Sequence, residues 1–262
     1  MIIDTHAHLY YPQLLNNIDE IIQRAEINQV TRIIVPAVDL KTAEVTCNLS
    51  EKYEDIYCAV GFHPTEVKKH NLSELKDLEG FISHRKIVAI GEIGIDLYWD
   101  KDNLQQQIEF FESQINMARE RNLPVIIHTR NSFNEAFEIV QKNSVGLRGQ
   151  FHCFSEDSTS AQKVLSLENF YLSFCGNITY NNFKKINTIQ TVPPDRLLAE
   201  TDSPFMTPVP FKGKDNEPSY LRYTLEKISE IKGIDYQELI NHLYFNTIKL
   251  FFEKDENSVS KV

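Results

Sequence analysis

The sequence predicts a TIM-type (β/α)8 barrel in a single domain, and three observations predict it. Eight short apolar runs alternate with longer amphipathic ones along 262 residues, close to the ~250 residues usual for that fold. The apolar runs are nearly continuous rather than alternating, as parallel strands buried on both faces require. Six of the eight carry a histidine or an acid in or near their last residues, and enzymes of this fold carry their chemistry at the carboxyl ends of the strands.

The first run is Ile2–His8. After Pro12, a stripe of Leu14, Ile18, Ile21, Ile22 and Ala25 recurs at helical spacing. The next runs are Arg32–Val38 and Tyr57–His63, followed by helices expected over Ala43–Lys52 and Ser73–His84. The fourth run, Ile87–Ile95, precedes a stripe of Leu104, Ile108, Phe111, Ile115 and Ala118 that stops before Pro124. Then come Pro124–Thr129, Gln150–Phe154, Tyr171–Gly176 and Leu197–Asp202, with helices expected over Phe133–Lys142, Ser158–Leu167, Tyr220–Lys232 and Tyr236–Glu253. An open doubly wound sheet is the competing fold, but neither G-x-G-x-x-G nor G-x-x-x-x-G-K-[ST] is present to support it. The barrel is expected over residues 1–253, with a polar tail over 254–262.

Hydrophobic residues make up 42% and charged residues 24%, ordinary for a soluble globular chain. No apolar run approaches the ~20 residues that span a bilayer, and no signal peptide is recognisable. A membrane partner is therefore not expected. Cys47, Cys58, Cys153 and Cys175 are scattered without a C-x-x-C pair. Four reduced thiols in a cytoplasmic protein are expected. The net charge of −10 repels polyanions, so phosphate must be gripped locally, by a few cations or by bound metal.

Side chains at i and i+2 of a strand share a face, so His6 and His8 aim together. The third run brings His63, the fourth Glu92, the fifth His128 and Arg130, the sixth His152 and the eighth Asp202. Imidazoles and carboxylates are the ligands of divalent metals, and one carboxylate can bridge two ions. One ion is assigned to His6, His8, Glu92 and Asp202. A second is assigned to His128, His152 and the other oxygen of Glu92. Glu92 lies between two glycines within an apolar strand, where a carboxylate is costly unless a cation compensates it. Asp202 doubles as the base that takes a proton from the attacking water. Glu200 faces the same way by alternation, but Asp202 is nearer the strand end. Asp4 either orients the histidine pair or starts a turn.

Arg130 and Lys212 are expected on substrate phosphate, Lys212 from the Pro-rich loop of residues 202–219. His63 contacts substrate or orients a ligand. Tyr98 and Trp99 either stack on a base or plug the rim. Cys153 is expected to face away from the site. Four imidazoles favour Zn, Mn, Co or Fe, and the two carboxylates keep Mg in play.

These residues resemble the TatD-type metal-dependent deoxyribonucleases, within the wider amidohydrolase-like barrels. The segments that carry the resemblance are Asp4-Thr-His-Ala-His-Leu9, Gly61-Phe-His-Pro64, Ala89-Ile-Gly-Glu-Ile-Gly-Ile-Asp96, Leu123-Pro-Val-Ile-Ile-His-Thr-Arg130, Phe151-His-Cys-Phe-Ser155, Arg196-Leu-Leu-Ala-Glu-Thr-Asp-Ser-Pro204 and Pro210-Phe-Lys-Gly-Lys-Asp-Asn-Glu-Pro218. The resemblance covers about residues 2–252 and places the family's ligands on His6, His8, Glu92, His128, His152 and Asp202. It implies a divalent-metal barrel that hydrolyses DNA phosphodiesters, with 3′-to-5′ exonuclease behaviour in several members. The implied substrate is DNA ends, single strands among them, with no obligate protein partner, so that a monomer suffices. Asn131, Glu156, Lys212 and Asp215 depart from the family pattern, all on the rim.

Two other functions are compatible with such a site. One is an amidase, esterase or aminoacyl-ester deacylase, since one fold hosts many chemistries. Many amidohydrolase-like sites bridge their metals with a carbamylated lysine. Here Glu92 fills that place, which favours phosphodiesters. The other is a non-catalytic binding barrel, which would be expected to have lost part of the ligand set.

Overall fold

In the computed structural model, which describes residues 1–253, eight parallel strands stand side by side in chain order as a nearly closed barrel. They are β1 (Ile2–Asp4), β2 (Val30–Pro36), β3 (Ile56–Val60), β4 (Ile87–Asp96), β5 (Val125–Arg130), β6 (Gly149–Phe151), β7 (Phe170–Phe174) and β8 (Leu197–Ala199). The seam between β8 and β1 is sealed just beyond the strands. There His8 N donates to Ser203 O at 2.7 Å and Asp202 N to His6 O at 2.8 Å. The buried Asp4 carboxylate completes the seam, accepting from Thr201 N at 2.9 Å and Thr201 Oγ1 at 2.5 Å. Burial lifts the Asp4 carboxyl to about 7, against the lowering effect of Thr201.

Helices cover the outside: α1 (Pro12–Leu15), α2 (Ile18–Ile27), α3 (Leu40–Lys52), α4 (Leu75–Ile82), α5 (Leu104–Glu120), α6 (Phe133–Lys142), α7 (Ser158–Leu165), α8 (Ile186–Thr191), α9 (Leu221–Lys232) and α10 (Tyr236–Thr247). The longer ones turn an apolar stripe inward; on α5 it is Phe110, Phe111, Ile115 and Ala118. Helix α8 was not expected. Its six residues bury only Thr188 and Ile189, too few to show a period. The last expected helix ends early, and a wider π-type turn over Ile248–Phe252 follows α10. Leu250 and Phe251 from that turn pack with Ile34, Ala59, Val88 and Ile126 from the strands. Among the described residues no helix is long and apolar enough to cross a membrane. The expected polar tail, 254–262, lies outside the described residues.

The core positions the site. All ten residues of β4 are buried, which is why that strand reads as one apolar run. Gly94 has φ +144°, and a Cβ there would meet His128 O at 2.1 Å. Only glycine lets β4 lie this close to β5 beside His128.

The expectation of four reduced thiols is corrected for two of them. Cys153 and Cys175 follow the neighbouring strands β6 and β7, which puts their Cα atoms 5.4 Å apart, and they form a disulfide. Cys47 and Cys58 are free and buried.

Candidate metal centre

Glu92 is the hub of the barrel mouth. The register of β4 against β5 shifts between Ile90 and Ile93, an irregularity that re-aims the intervening side chain. Glu92 N is held by Ala37 O at 3.0 Å. The Glu92 carboxylate, 2% exposed, divides its surroundings between its two oxygens. Oε1 faces His128 Nδ1 at 2.8 Å, His152 Nε2 at 2.8 Å and His63 Nε2 at 3.3 Å. Oε2 faces His6 Nε2 at 3.3 Å and His8 Nε2 at 3.4 Å. Asp202 Oδ1 closes the Oε2 side, 3.8 Å from His6 Nε2 and 3.6 Å from His8 Nε2. Asp202 has φ +57°, a left-handed conformation that a non-glycine residue adopts at a cost.

The outer faces of the imidazoles decide which nitrogen points inward. His128 Nε2 meets Asp96 Oδ2 at 3.0 Å, and His152 Nδ1 meets Glu200 Oε1 at 3.2 Å. Both rings therefore donate outward to a carboxylate and turn their other nitrogen toward Glu92. His8 Nδ1 has Tyr10 Oη at 2.8 Å and Pro36 O at 3.3 Å. Glu200 is further fixed by Ser173 Oγ at 2.7 Å and Cys153 N at 2.6 Å.

The charge pattern follows from these contacts. Burial opposes the charge on Glu92, yet His152, His63 and His6 hold its carboxyl well below the usual range. Burial also disfavours the imidazolium at His152, but Glu92 and Glu200 raise it well above the ordinary histidine value. His128 is raised in the same way, burial being outweighed by Asp96 and Glu92. His8 goes the other way, lowered to about 3 by burial and by its neighbour His6. Burial pushes Asp202 up to about 6.

The residues fit divalent cations. His6 Nε2 and His8 Nε2 are 3.1 Å apart, and His128 Nδ1 and His152 Nε2 are 3.2 Å apart. Two ligand nitrogens on one cation at bonds of ~2.1 Å stand ~3.0–3.4 Å from each other. The buried His6 Nδ1 has no hydrogen-bond partner, so this ring's one strong interaction is directed inward through Nε2. Three compact donor groups result: His6, His152 and Asp202; His6, His8 and Glu92; and His63, Glu92 and His128.

The structure brings all six of the expected ligands to this point. It also brings His63 against Glu92. His63 Nδ1 accepts from Thr65 N at 3.2 Å, so the neutral ring carries its proton on Nε2 and donates to Glu92 Oε1. Arg130 reaches the rim with its guanidinium carbon 4.0 Å from the Tyr98 ring centroid. Lys212 is not brought in; its Nζ lies 4.1 Å over the Tyr180 ring. Cys153, expected to face away, lines the cleft. Asp96 and Glu200 carry orienting roles that the sequence reading gave to neither. Alternation held the signal in both cases, since Asp96 shares a strand face with Glu92 and Glu200 shares one with Asp202.

The centre opens into a cleft of about 810 Å³ whose walls include His8, Tyr11, His63, Trp99, Arg130, Asp202, Phe205 and Met206. This is an open trough, with exposed aromatic rings at its edges.

The sequence profile described as TatD-related DNase matches residues 3–252. The metal-dependent hydrolase YabD of Bacillus subtilis is 40% identical over 253 residues, covering 96% of this chain and 99% of its own. The metal-dependent hydrolase YcfH of Escherichia coli K12 is 32% identical over 255 residues, covering 95% of each chain. Among solved structures, the TatD homologue YjjV of Escherichia coli K12 superposes with a TM-score of 0.91 at 30% identity, covering 97% of this chain and 98% of that one.

Proposed function

The chain belongs to the TatD-related DNase family, and on that premise we propose that it hydrolyses DNA phosphodiester bonds from 3′ ends with two divalent cations. It is a metal-dependent hydrolase. The observation that carries the finer reading is the division of Glu92, whose two oxygens face separate sets of donors. His6, His8 and Asp202 would hold one cation and His128 and His152 the other, with Glu92 between them. Bound there, divalent cations polarise a phosphoryl oxygen and lower the pKa of the attacking water.

The chain's own residues do the rest. Asp202 takes the proton from water, its carboxylate lining the cleft beside the Oε2 donors. Asp96 and Glu200 hold the His128 and His152 rings so that their other nitrogens face Glu92, where a cation would displace their protons. Arg130 neutralises the phosphate at the rim, and His63 offers its Nε2–H to Glu92 or to a phosphoryl oxygen. Lys212, exposed on the loop after β8, adds charge for phosphates farther along the strand. Four imidazoles favour Zn, Mn, Co or Fe over Mg.

The test is a digestion panel of single-stranded DNA, duplex DNA and an aminoacyl ester, run across these metals with Glu92→Ala as control. Loss of 3′-terminal nucleotides, abolished in the variant, is the expected result. Intact DNA alongside a hydrolysed ester overturns the reading in favour of a deacylase.

A further inference from the structure

We propose that Cys153 and Cys175 are a reversible thiol-oxidation site, whose bond tightens the Oε1 half of the metal centre and whose reduction loosens it. The proposal rests on the two-cation centre and on nothing about the substrate.

The two cysteines differ in access. Cys153 is half-buried and lines the cleft, whereas Cys175 is fully buried. A small reagent in the cleft reaches one sulfur and not the other, the arrangement of an attacked thiol beside a resolving one. Their Cα atoms, 5.4 Å apart, let the bond form and break with both strands in place.

Cys153 is also connected to the metal centre. It follows the ligand His152, and its N–H donates to Glu200 Oε1 at 2.6 Å. The same oxygen faces His152 Nδ1 at 3.2 Å. Ser173 Oγ, two residues before Cys175, donates to Glu200 Oε2 at 2.7 Å. Cys153 has φ +42°, a left-handed conformation that a non-glycine residue keeps only where its surroundings hold it. The bond to Cys175 is such a hold.

Without that bond the two sulfurs must move apart to van der Waals separation. Cys175 has no room to yield. It is fully buried, and a Cβ on the adjacent Gly176 would meet Met206 O at 2.0 Å and Pro208 N at 2.8 Å. Cys153, open to the cleft, yields instead. Its N–H then leaves Glu200, and the carboxylate behind His152 loses its shortest hydrogen bond. An imidazole with a loosened partner is a weaker ligand. His8, on the other side of Glu92, leans on Tyr10 and Pro36 and is untouched.

Oxidation takes a hydroperoxide. The Cys153 sulfur attacks its terminal oxygen, the O–O bond breaks, and an alcohol or water leaves with the thiol proton, giving a sulfenic acid. The Cys175 sulfur then attacks Cys153 Sγ. The S–S bond forms, the S–O bond breaks, and the hydroxyl leaves as water with the second thiol proton. Two electrons have passed from the thiols to the peroxide. Reduction takes a dithiol. Its first sulfur attacks Cys153 Sγ and Cys175 leaves, taking that proton. Its second sulfur closes the reagent's own disulfide and releases Cys153 as the thiol.

Metal-free protein is treated with hydrogen peroxide or with dithiothreitol and desalted under argon. It is then titrated calorimetrically with Mn²⁺, an ion that prefers nitrogen and oxygen donors to a free thiol. Trypsin cuts after Arg148, Lys163 and Lys184, so mass spectrometry reads the bond as peptides 149–163 and 164–184 joined. Joined peptides are expected in the oxidised protein only. One Mn²⁺ step is expected to weaken ~10-fold on reduction, the other to hold, and reoxidation to restore the first. Cys175→Ser stays at the weaker value with or without peroxide. Separate peptides after peroxide, equal Mn²⁺ affinities in the two forms whatever the change in Tm, or both steps weakening alike overturn the proposal. A redox-dependent Mn²⁺ step in a protein that leaves DNA intact refutes the nuclease reading alone; a nuclease whose Mn²⁺ affinities ignore the bond refutes the switch alone.

Discussion

The two sides of Glu92 carry the same kinds of donor but are backed differently. On the Oε1 side, His128 and His152 each lean on a carboxylate, Asp96 and Glu200. On the Oε2 side, His8 leans on the neutral Tyr10 hydroxyl and the Pro36 carbonyl, and His6 Nδ1 on nothing. A carboxylate behind an imidazole makes it more basic and a stronger ligand. The Oε1 side is therefore the tighter half for a cation, and also the half that keeps protons when no cation is present. The Oε2 side, where His8 is neutral, is looser, and it carries Asp202 beside the reacting water.

The largest break in this comparison is Glu92→Ala, which removes the group both halves share. Activity falls to background and metal content drops on both sides, read by elemental analysis, while circular dichroism keeps the barrel signature. Next come Asp96→Asn and Glu200→Gln. Each lowers metal affinity ~10–100-fold, whereas Tyr10→Phe on the other side costs far less; calorimetric titration separates them. The third is pH. His128 and His152 are raised in the metal-free protein, so a cation entering the Oε1 side must displace protons, and affinity there rises as pH rises. His8, at about 3, is already neutral at pH 7, so the lifted group to be deprotonated on the Oε2 side is Asp202, at about 6, whose proton is gone by pH 8. Titration in two buffers of different ionisation enthalpy counts the protons released. The smallest is Arg24→Ala. Arg24 grips Glu217 through Nε and Nη2 at 2.8 and 2.7 Å, tying the loop after β8 to α2. The Arg24 side chain is 43% exposed, so the loss is ~0.5–1 kcal/mol, a drop in Tm of ~2 °C.

The sequence made the barrel legible because buried parallel strands read as apolar runs and each run hands its last residues to one mouth. That same rule led to His6, His8, Glu92, His128, His152 and Asp202 one at a time. It did not single out Asp96 or Glu200, because alternation placed each on the same face as a better-placed ligand, Glu92 or Asp202, and left it in that ligand's shadow. The proton position on His63 depends on the Thr65 amide, a backbone contact no side-chain pattern encodes. The Cys153–Cys175 pairing depended on β6 and β7 being neighbours, which spacing in the chain hides. Helix α8 escaped because six residues cover less than two turns.

The measurement closest to the central claim is a calorimetric titration of metal-free protein with a divalent cation near pH 6 and again near pH 8. Two binding steps are predicted, and the one held by His128 and His152 strengthens the more at the higher pH, with part of that dependence lost in Asp96→Asn. A single step, or two steps equally insensitive to pH, would contradict a centre built as two unequal halves around Glu92.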